Sequence, residues 1–138
     1  MSFISDKVKQ LAHKYKTNDP FEIADRLNIL VHFLPLHSEI NGFYKLEKRN
    51  KFIIINQNLP HEIKRFVCAH ELGHAVLHPR ANTPFLRKNT LYSINRLEVE
   101  ANRFAVELLL DDKIFEDYET KFDILRENGI PYEMERFL

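Results

Sequence analysis

A chain of 138 residues and 16.5 kDa has room for one domain around one core, read here as a single unit spanning 1–138. Its 44% apolar and 29% charged residues are those of an ordinary globular protein and exclude a mostly disordered chain. Twenty Lys and Arg balance twenty Asp and Glu, so with a pI near 7.1 there is no electrostatic footprint for a nucleic-acid backbone, and direct nucleic-acid binding is not expected.

Along the chain, Phe3, Ile4, Val8, Leu11, Ala12 and Tyr15 recur at helical spacing. Asn18-Asp19-Pro20 then supplies a cap with proline at the first helical position, so a second helix is expected from Pro20 to about Leu27. Three β-rich runs follow, at Ile29 to Leu34, Gly42 to Leu46 and Lys51 to Asn56, the last two separated by the turn-like Glu47-Lys48-Arg49-Asn50. They read as a small, largely antiparallel three-stranded sheet with a hairpin. Pro60 and Pro79 bracket one largely apolar helix of about five turns, which is therefore expected to be buried. Arg80 to Thr90 reads as loop, because Asn82, Thr83, Pro84 and Asn89 fall within it. A helix resumes from about Ser93 to Leu110, with Leu97, Ala101, Phe104, Ala105 and Leu108 on one stripe. Another helical stretch ends at the cap signal Asn128-Gly129, and a short one follows Pro131. The fold class expected is α+β, mostly helical.

The single cysteine, Cys68, can form no intramolecular disulfide; it reads as a buried core residue and suits a reducing compartment. Asp6, Lys7, Lys9 and Gln10 interrupt the apolar run that a signal peptide would need, and no stretch is long enough to span a bilayer. A cytoplasmic protein with no membrane contact is expected.

The chemistry concentrates at His70-Glu71-Leu72-Gly73-His74. Histidines four positions apart on a helix lie about 40° apart around its axis and about 6 Å apart along it, so both imidazoles can reach one ion. Glu71 falls about 100° from His70 and about 60° from His74, where its carboxylate can reach a water at the ion without ligating. That is the place of a general base beside a zinc ion, which lowers the pKa of water and polarises a carbonyl. Chance would produce such a pattern in about 3% of shuffled chains of this composition. Two imidazoles and a carboxylate on a buried helix need partners, however, and a shared metal supplies them.

A catalytic zinc takes three protein ligands, so one must come from elsewhere. Glu98 and Glu100 on the helix of 93–110 point about 160° apart, so only one of them is expected to ligate. Glu98 lies beside the inward stripe and is favoured; Glu100, on the polar flank, is the alternative. Ala101 and Ala105 permit close approach of the two helices, and Asn102 can orient a ligand histidine. His78 continues the histidine spacing, and supporting a ligand from behind, or a merely structural place, is favoured over serving as a fourth ligand. Tyr92 could face an oxyanion but reads better as a packed tyrosine. His13, His32, His37 and His61 fit no usable spacing.

The pair HELGHAVLH at 70–78 and EVEANRFAVELL at 98–109, joined by the loop containing NTPFLRKNT, resembles the ImmA/IrrE family of metallopeptidases over about residues 20–112. That resemblance implies a small zincin-like domain similar to gluzincins, with His70, His74 and Glu98 on zinc and Glu71 as base. It also implies a cytosolic protease that cleaves helix-turn-helix repressors of phages or mobile elements. The chain reads as short for the family, lacking the longer C-terminal regions of some members. Substrate would bind as an added strand along a sheet edge, with residues 42–46 or 51–56 as candidates. The alternative function is a non-catalytic, zinc-containing regulatory module that docks to a transcription factor or toxin.

Overall fold

The computed structural model describes residues 2–82, 84–86, 89–111 and 120–138, with Asn89 described in its backbone only. Positions 83, 87 and 88 of the expected loop, and anything of the C-terminal helical stretch that falls on 112–119, lie outside the described residues. Helix α1 (Phe3–Tyr15) begins where the Ser2 hydroxyl accepts from Ser5 N–H and buries Ile4, Val8, Leu11 and Ala12 on one face. Helix α2 (Pro20–Arg26) starts on Asp19, whose carboxylate accepts from Phe21 N–H, as the Asn-Asp-Pro signal requires.

The sheet has four strands, β1 (Leu30–Leu34), β2 (Ile40–Glu47), β3 (Asn50–Asn56) and β4 (Phe85–Leu86), in the order β1-β3-β2-β4. Strands β2 and β3 form the expected hairpin, closed by Lys48 and Arg49 with φ of 50° and 71°. Positive φ at both central residues gives the turn the twist that a two-residue hairpin needs. Two of its three strand pairings are antiparallel, so the sheet is largely antiparallel as expected, and two features depart from the simple three-stranded hairpin sheet. Strand β1 runs parallel to β3, so the sheet is mixed, and Phe85–Leu86 adds a fourth strand inside the segment read as loop. The orientation of β1 depends on the connection to β2, which passes the end of β3. There the Asn56 amide donates to the carbonyls of Leu36 and Ile40 at 3.2 and 3.0 Å and pins that crossing. β3 is therefore an interior strand, which removes residues 51–56 as a candidate edge.

Helix α3 (His61–Leu77) runs under the sheet, and every residue from Phe66 to Ala75 is buried. Ile53, Ile55 and Tyr44 cover it from above, and helix α5 (Arg96–Leu109) packs along it. Close approach is built in on both sides. A Cβ on Gly42 would lie 2.6 Å from Ile54 O and 2.9 Å from Val67 Cγ1, and one on Gly73 would lie 3.1 Å from the Phe104 ring. The sheet also ties down the end of α3, where Lys51 Nζ donates to Ala75 O at 2.9 Å and the Tyr44 hydroxyl to Pro79 O at 2.6 Å. A short helix α4 (Asn89–Tyr92) links β4 to α5. Helix α6 (Lys121–Glu127), with a capping box between Thr120 and Asp123, and a 3-10 helix (Tyr132–Phe137) close the fold. From the latter, Arg136 donates to the carbonyls of Leu91 and Ser93, each at 3.1 Å, and steadies the approach to α5. Among the described residues no helix is long and apolar enough to cross a membrane.

Candidate metal centre

Ten consecutive buried residues on α3 carry His70, Glu71 and His74 into the interior, because the helix is enclosed by sheet, α2 and α5. Opposite them, the N-terminal end of α5 presents Glu98, which is 5% exposed. One oxygen of Glu98, Oε1, lies 3.0 Å from His70 Nε2 and 3.1 Å from His74 Nε2. Glu100 does not reach this point; it contacts His78 instead, with Oε1 2.6 Å from His78 Nε2. The ligand atoms of His70, Glu71 and His74 also fall within 4.8 Å of one another, so Glu71 borders the same point. The shorter contacts of Glu98 mark it, rather than Glu71, as the third member of the cluster.

The proton positions follow from the surrounding bonds. The Asn102 amide N–H donates to Thr90 O at 3.1 Å, which turns its oxygen toward His70 Nδ1 at 2.8 Å and requires Nδ1 to carry the proton. Burial, only partly offset by Glu98, brings His70 down to about 4, so near neutral pH the ring has no second proton for Nε2. On the other side, His78 Nε2 lies 2.6 Å from Glu100 Oε1 and His78 Nδ1 lies 3.0 Å from His74 Nδ1; with His78 neutral and Glu100 ionised, His78 donates through Nε2 and accepts from His74 Nδ1. His74 Nε2 is then bare as well. Burial alone would push the Glu98 carboxyl up, and what holds it below the usual carboxylate range is positive charge or protons at the two imidazole nitrogens against it; with both Nε2 atoms bare, a cation has to fill that role for Glu98 to be ionised. Two nitrogen lone pairs thus face one carboxylate oxygen, an arrangement that repels unless a cation sits among them. Two imidazoles and one carboxylate are also the donor set of a three-ligand metal site with an open position. The residues present fit a metal ion.

Glu71 is fully buried, and neither carboxylate oxygen has a hydrogen-bond partner among the described residues. Burial first, and the charge of Glu98 second, push its carboxyl well above the usual range. A buried, proton-avid carboxyl beside a metal-binding cluster has the properties of a general base.

Of the residues singled out in the sequence, His70, Glu71, His74, Glu98 and Asn102 meet here, and His78 and Glu100 form the layer behind His74. Tyr92 does neither of the things expected of it; 65% exposed, it is not a packed tyrosine, and the structure gives it no contact with the cluster. Cys68 is buried, as expected, and burial raises its thiol well above the usual range. Phe85 and Thr90 were not legible in advance. The Phe85 ring packs edge-on against His70 with centroids 4.6 Å apart, and no local pattern marks it out in a segment that reads as loop. A cavity of about 670 Å³, lined by Asn41, Ile63, Phe66, Phe85 and Leu91 among others, adjoins the cluster through that ring. None of the cluster residues lines it, so the chemistry resides in the buried cluster and not in the cavity.

The IrrE N-terminal-like domain, the family model of the M78 peptidases, matches residues 24–137. This chain belongs to the ImmA/IrrE family of metallopeptidases. The match continues well past residue 112, so the family likeness includes α6 and the 3-10 helix. The chain is 53% identical over 137 residues to the uncharacterized immunity region protein 2 of Bacillus phage phi105, covering 96% of this chain and 87% of that protein. It is 36% identical over 116 residues to the metallopeptidase ImmA of Bacillus subtilis strain 168, covering 83% of this chain and 67% of ImmA. An ImmA/IrrE domain has a reason for a buried His-Glu-His cluster that a general structural core lacks.

Proposed function

We propose that this ImmA/IrrE protein is a zinc-dependent endopeptidase of the cytoplasm that cuts a helix-turn-helix repressor of a phage or mobile element. The observation that carries the reading is the convergence of His70 Nε2, His74 Nε2 and Glu98 Oε1 beside the unpartnered carboxylate of Glu71. His70, His74 and Glu98 are the residues that would hold the metal, and zinc suits a nitrogen and carboxylate donor set. When bound, zinc polarises the scissile carbonyl and makes water a competent nucleophile near neutral pH. Glu71 takes the proton from the attacking water and passes it to the leaving amine, a role for which its raised proton affinity suits it. Asn102 and His78 hold the two rings so that their Nε2 atoms stay turned inward. Substrate is bound as an added strand on β2. Among the described residues β4 pairs only with Ile40 and Gly42, and the outer edge of β2 from Phe43 to Glu47 has no strand partner.

The repressor as substrate is supported by the name of the phage phi105 relative, an immunity region protein, and by the metallopeptidase name of ImmA. The test compares the wild type, Glu71→Gln and Glu98→Ala for zinc content and for cleavage of a helix-turn-helix repressor, taken first from any reading frame adjacent to the gene. About one zinc per chain is expected in the wild type and in Glu71→Gln, with loss in Glu98→Ala, and cleavage by the wild type alone. Full biological activity of Glu71→Gln in cells would overturn the peptidase reading in favour of a docking module.

A further inference from the structure

Behind His74 a chain of polar side chains leads outward to the surface. His74 Nδ1 lies 3.0 Å from His78 Nδ1, His78 Nε2 lies 2.6 Å from Glu100 Oε1, and Glu100 Oε2 lies 3.6 Å from Arg96 Nε. The His78 and Glu100 side chains are only 8% and 17% exposed, whereas Arg96 is 84% exposed. We infer that His78 and Glu100 are positioning residues that hold His74 in the tautomer whose bare Nε2 faces Glu98, and so set the affinity of the site for its metal. This rests on the metal-site reading above and adds to it the device that prepares one ligand.

A contact of 3.0 Å between two imidazole nitrogens needs one proton between them, on either ring. If a neutral His78 held it on Nδ1, its Nε2 would be bare and would face a carboxylate oxygen at 2.6 Å, lone pair against lone pair. Glu100 therefore forces the proton of His78 onto Nε2, and the shared proton of the next contact onto His74 Nδ1. The lone pair left on His74 Nε2 points at Glu98. Without Glu100, His78 could turn its proton toward His74, which would then protonate on Nε2 and lose its ligating lone pair. His70 reaches the same state by a different device, the Asn102 amide anchored on Thr90 O. The spacing explains the division of labour. Glu98 and Glu100 point to opposite sides of α5, so one carboxylate meets the Nε2 atoms and the other can reach His74 only through His78, four residues on at the C-cap of α3.

The experiment uses the full chain stripped of metal. Zinc affinity is measured by competition with a chromophoric chelator for the wild type, His78→Ala, His78→Gln and Glu100→Ala, alongside thermal unfolding of each metal-free form. Nitrogen-15 NMR of the histidine rings then reads the His74 tautomer directly. Expected are a loss of about 10–100-fold in affinity for His78→Ala and Glu100→Ala, partial recovery in His78→Gln, whose amide oxygen can accept from His74 Nδ1, and a protonated His74 Nδ1 in the wild type. A general structural role would lower metal-free stability without the tautomer change or the glutamine recovery. Wild-type zinc affinity in both alanine variants, or His74 protonated on Nε2 in the wild type, would overturn the inference. Complete loss in Glu100→Ala, matching Glu98→Ala, would overturn it too by making Glu100 a ligand. If the wild type takes up no zinc the peptidase reading fails, and the tautomer measurement, which needs no variant, still decides the relay.

Discussion

Replacing Glu71 by Gln should stabilise the metal-free protein at neutral and higher pH while abolishing peptidase activity. Glu71 is fully buried, both oxygens lack partners among the described residues, and the Glu98 charge lies close by, so ionising it inside the fold is unfavourable. Gln keeps the shape and never ionises, so the gain is what the wild type loses by keeping Glu71 protonated, or ionising it buried, where the unfolded carboxyl ionises freely, about 1–3 kcal/mol. With an unfolding entropy near 2.1 cal/mol/K per residue, 1 kcal/mol is worth about 3–4 °C here, so the melting temperature should rise by about 3–10 °C. The sign depends on pH in a defined way. The folded carboxyl holds its proton more tightly than the unfolded one, whose ordinary value is 4.5. Below that value both states are protonated and the wild type suffers no penalty. As pH rises above it, the unfolded state loses the proton first and wild-type stability falls, until the folded carboxyl also ionises. His70, lowered to about 4, contributes a slope of opposite sign as pH falls below 6.5, but it does so in both proteins and cancels in their difference. The assay is thermal unfolding with chelator present at pH 4.5 and pH 8. A Glu71→Gln variant that melts no higher than the wild type at pH 8, or a gain of equal size at both pH values, would refute the reasoning.

Removing the amide that orients His70, in Asn102→Leu, should cost about 10–100-fold in metal affinity, as metal-competition titration would read, and leave Thr90 O with only the Ser93 N–H of its two donors. Gly73→Val should destabilise the fold by about 1–3 kcal/mol in urea unfolding, because a Cβ there already lies 3.1 Å from Phe104, which is itself fully buried. Arg49→Gly should raise stability by about 0.5–1 kcal/mol, since glycine accepts a φ of 71° without strain; an unchanged urea midpoint would count against the turn geometry.

Much of this protein was legible locally. The four-residue spacing of His70 and His74, with Glu71 between them, needs only a helix, and Pro60 and Pro79 bracket one. The Asn18-Asp19-Pro20 cap and the stripe of Ala101, Phe104, Ala105 and Leu108 likewise follow from periodicities of a few residues. The same stripe placed Glu98 inward and Glu100 on the flank, and the structure sets both where it put them.

Contacts between segments far apart in sequence were decided by the tertiary structure alone. The parallel pairing of β1 with β3 turns on how the chain between them crosses the sheet, and no residue pattern within a strand encodes its direction. Phe85 reaches His70 because β4 docks on β2, so a segment whose composition reads as loop becomes a wall of the site. The link from Glu100 to His78 exists only because Gly73, Ala101 and Ala105 let α5 lie close against α3. The sequence by itself determined which side chains could serve a metal. Which nitrogen of each histidine faces the cluster, and which faces Asn102 or His78 behind it, was decided by residues brought together only on folding.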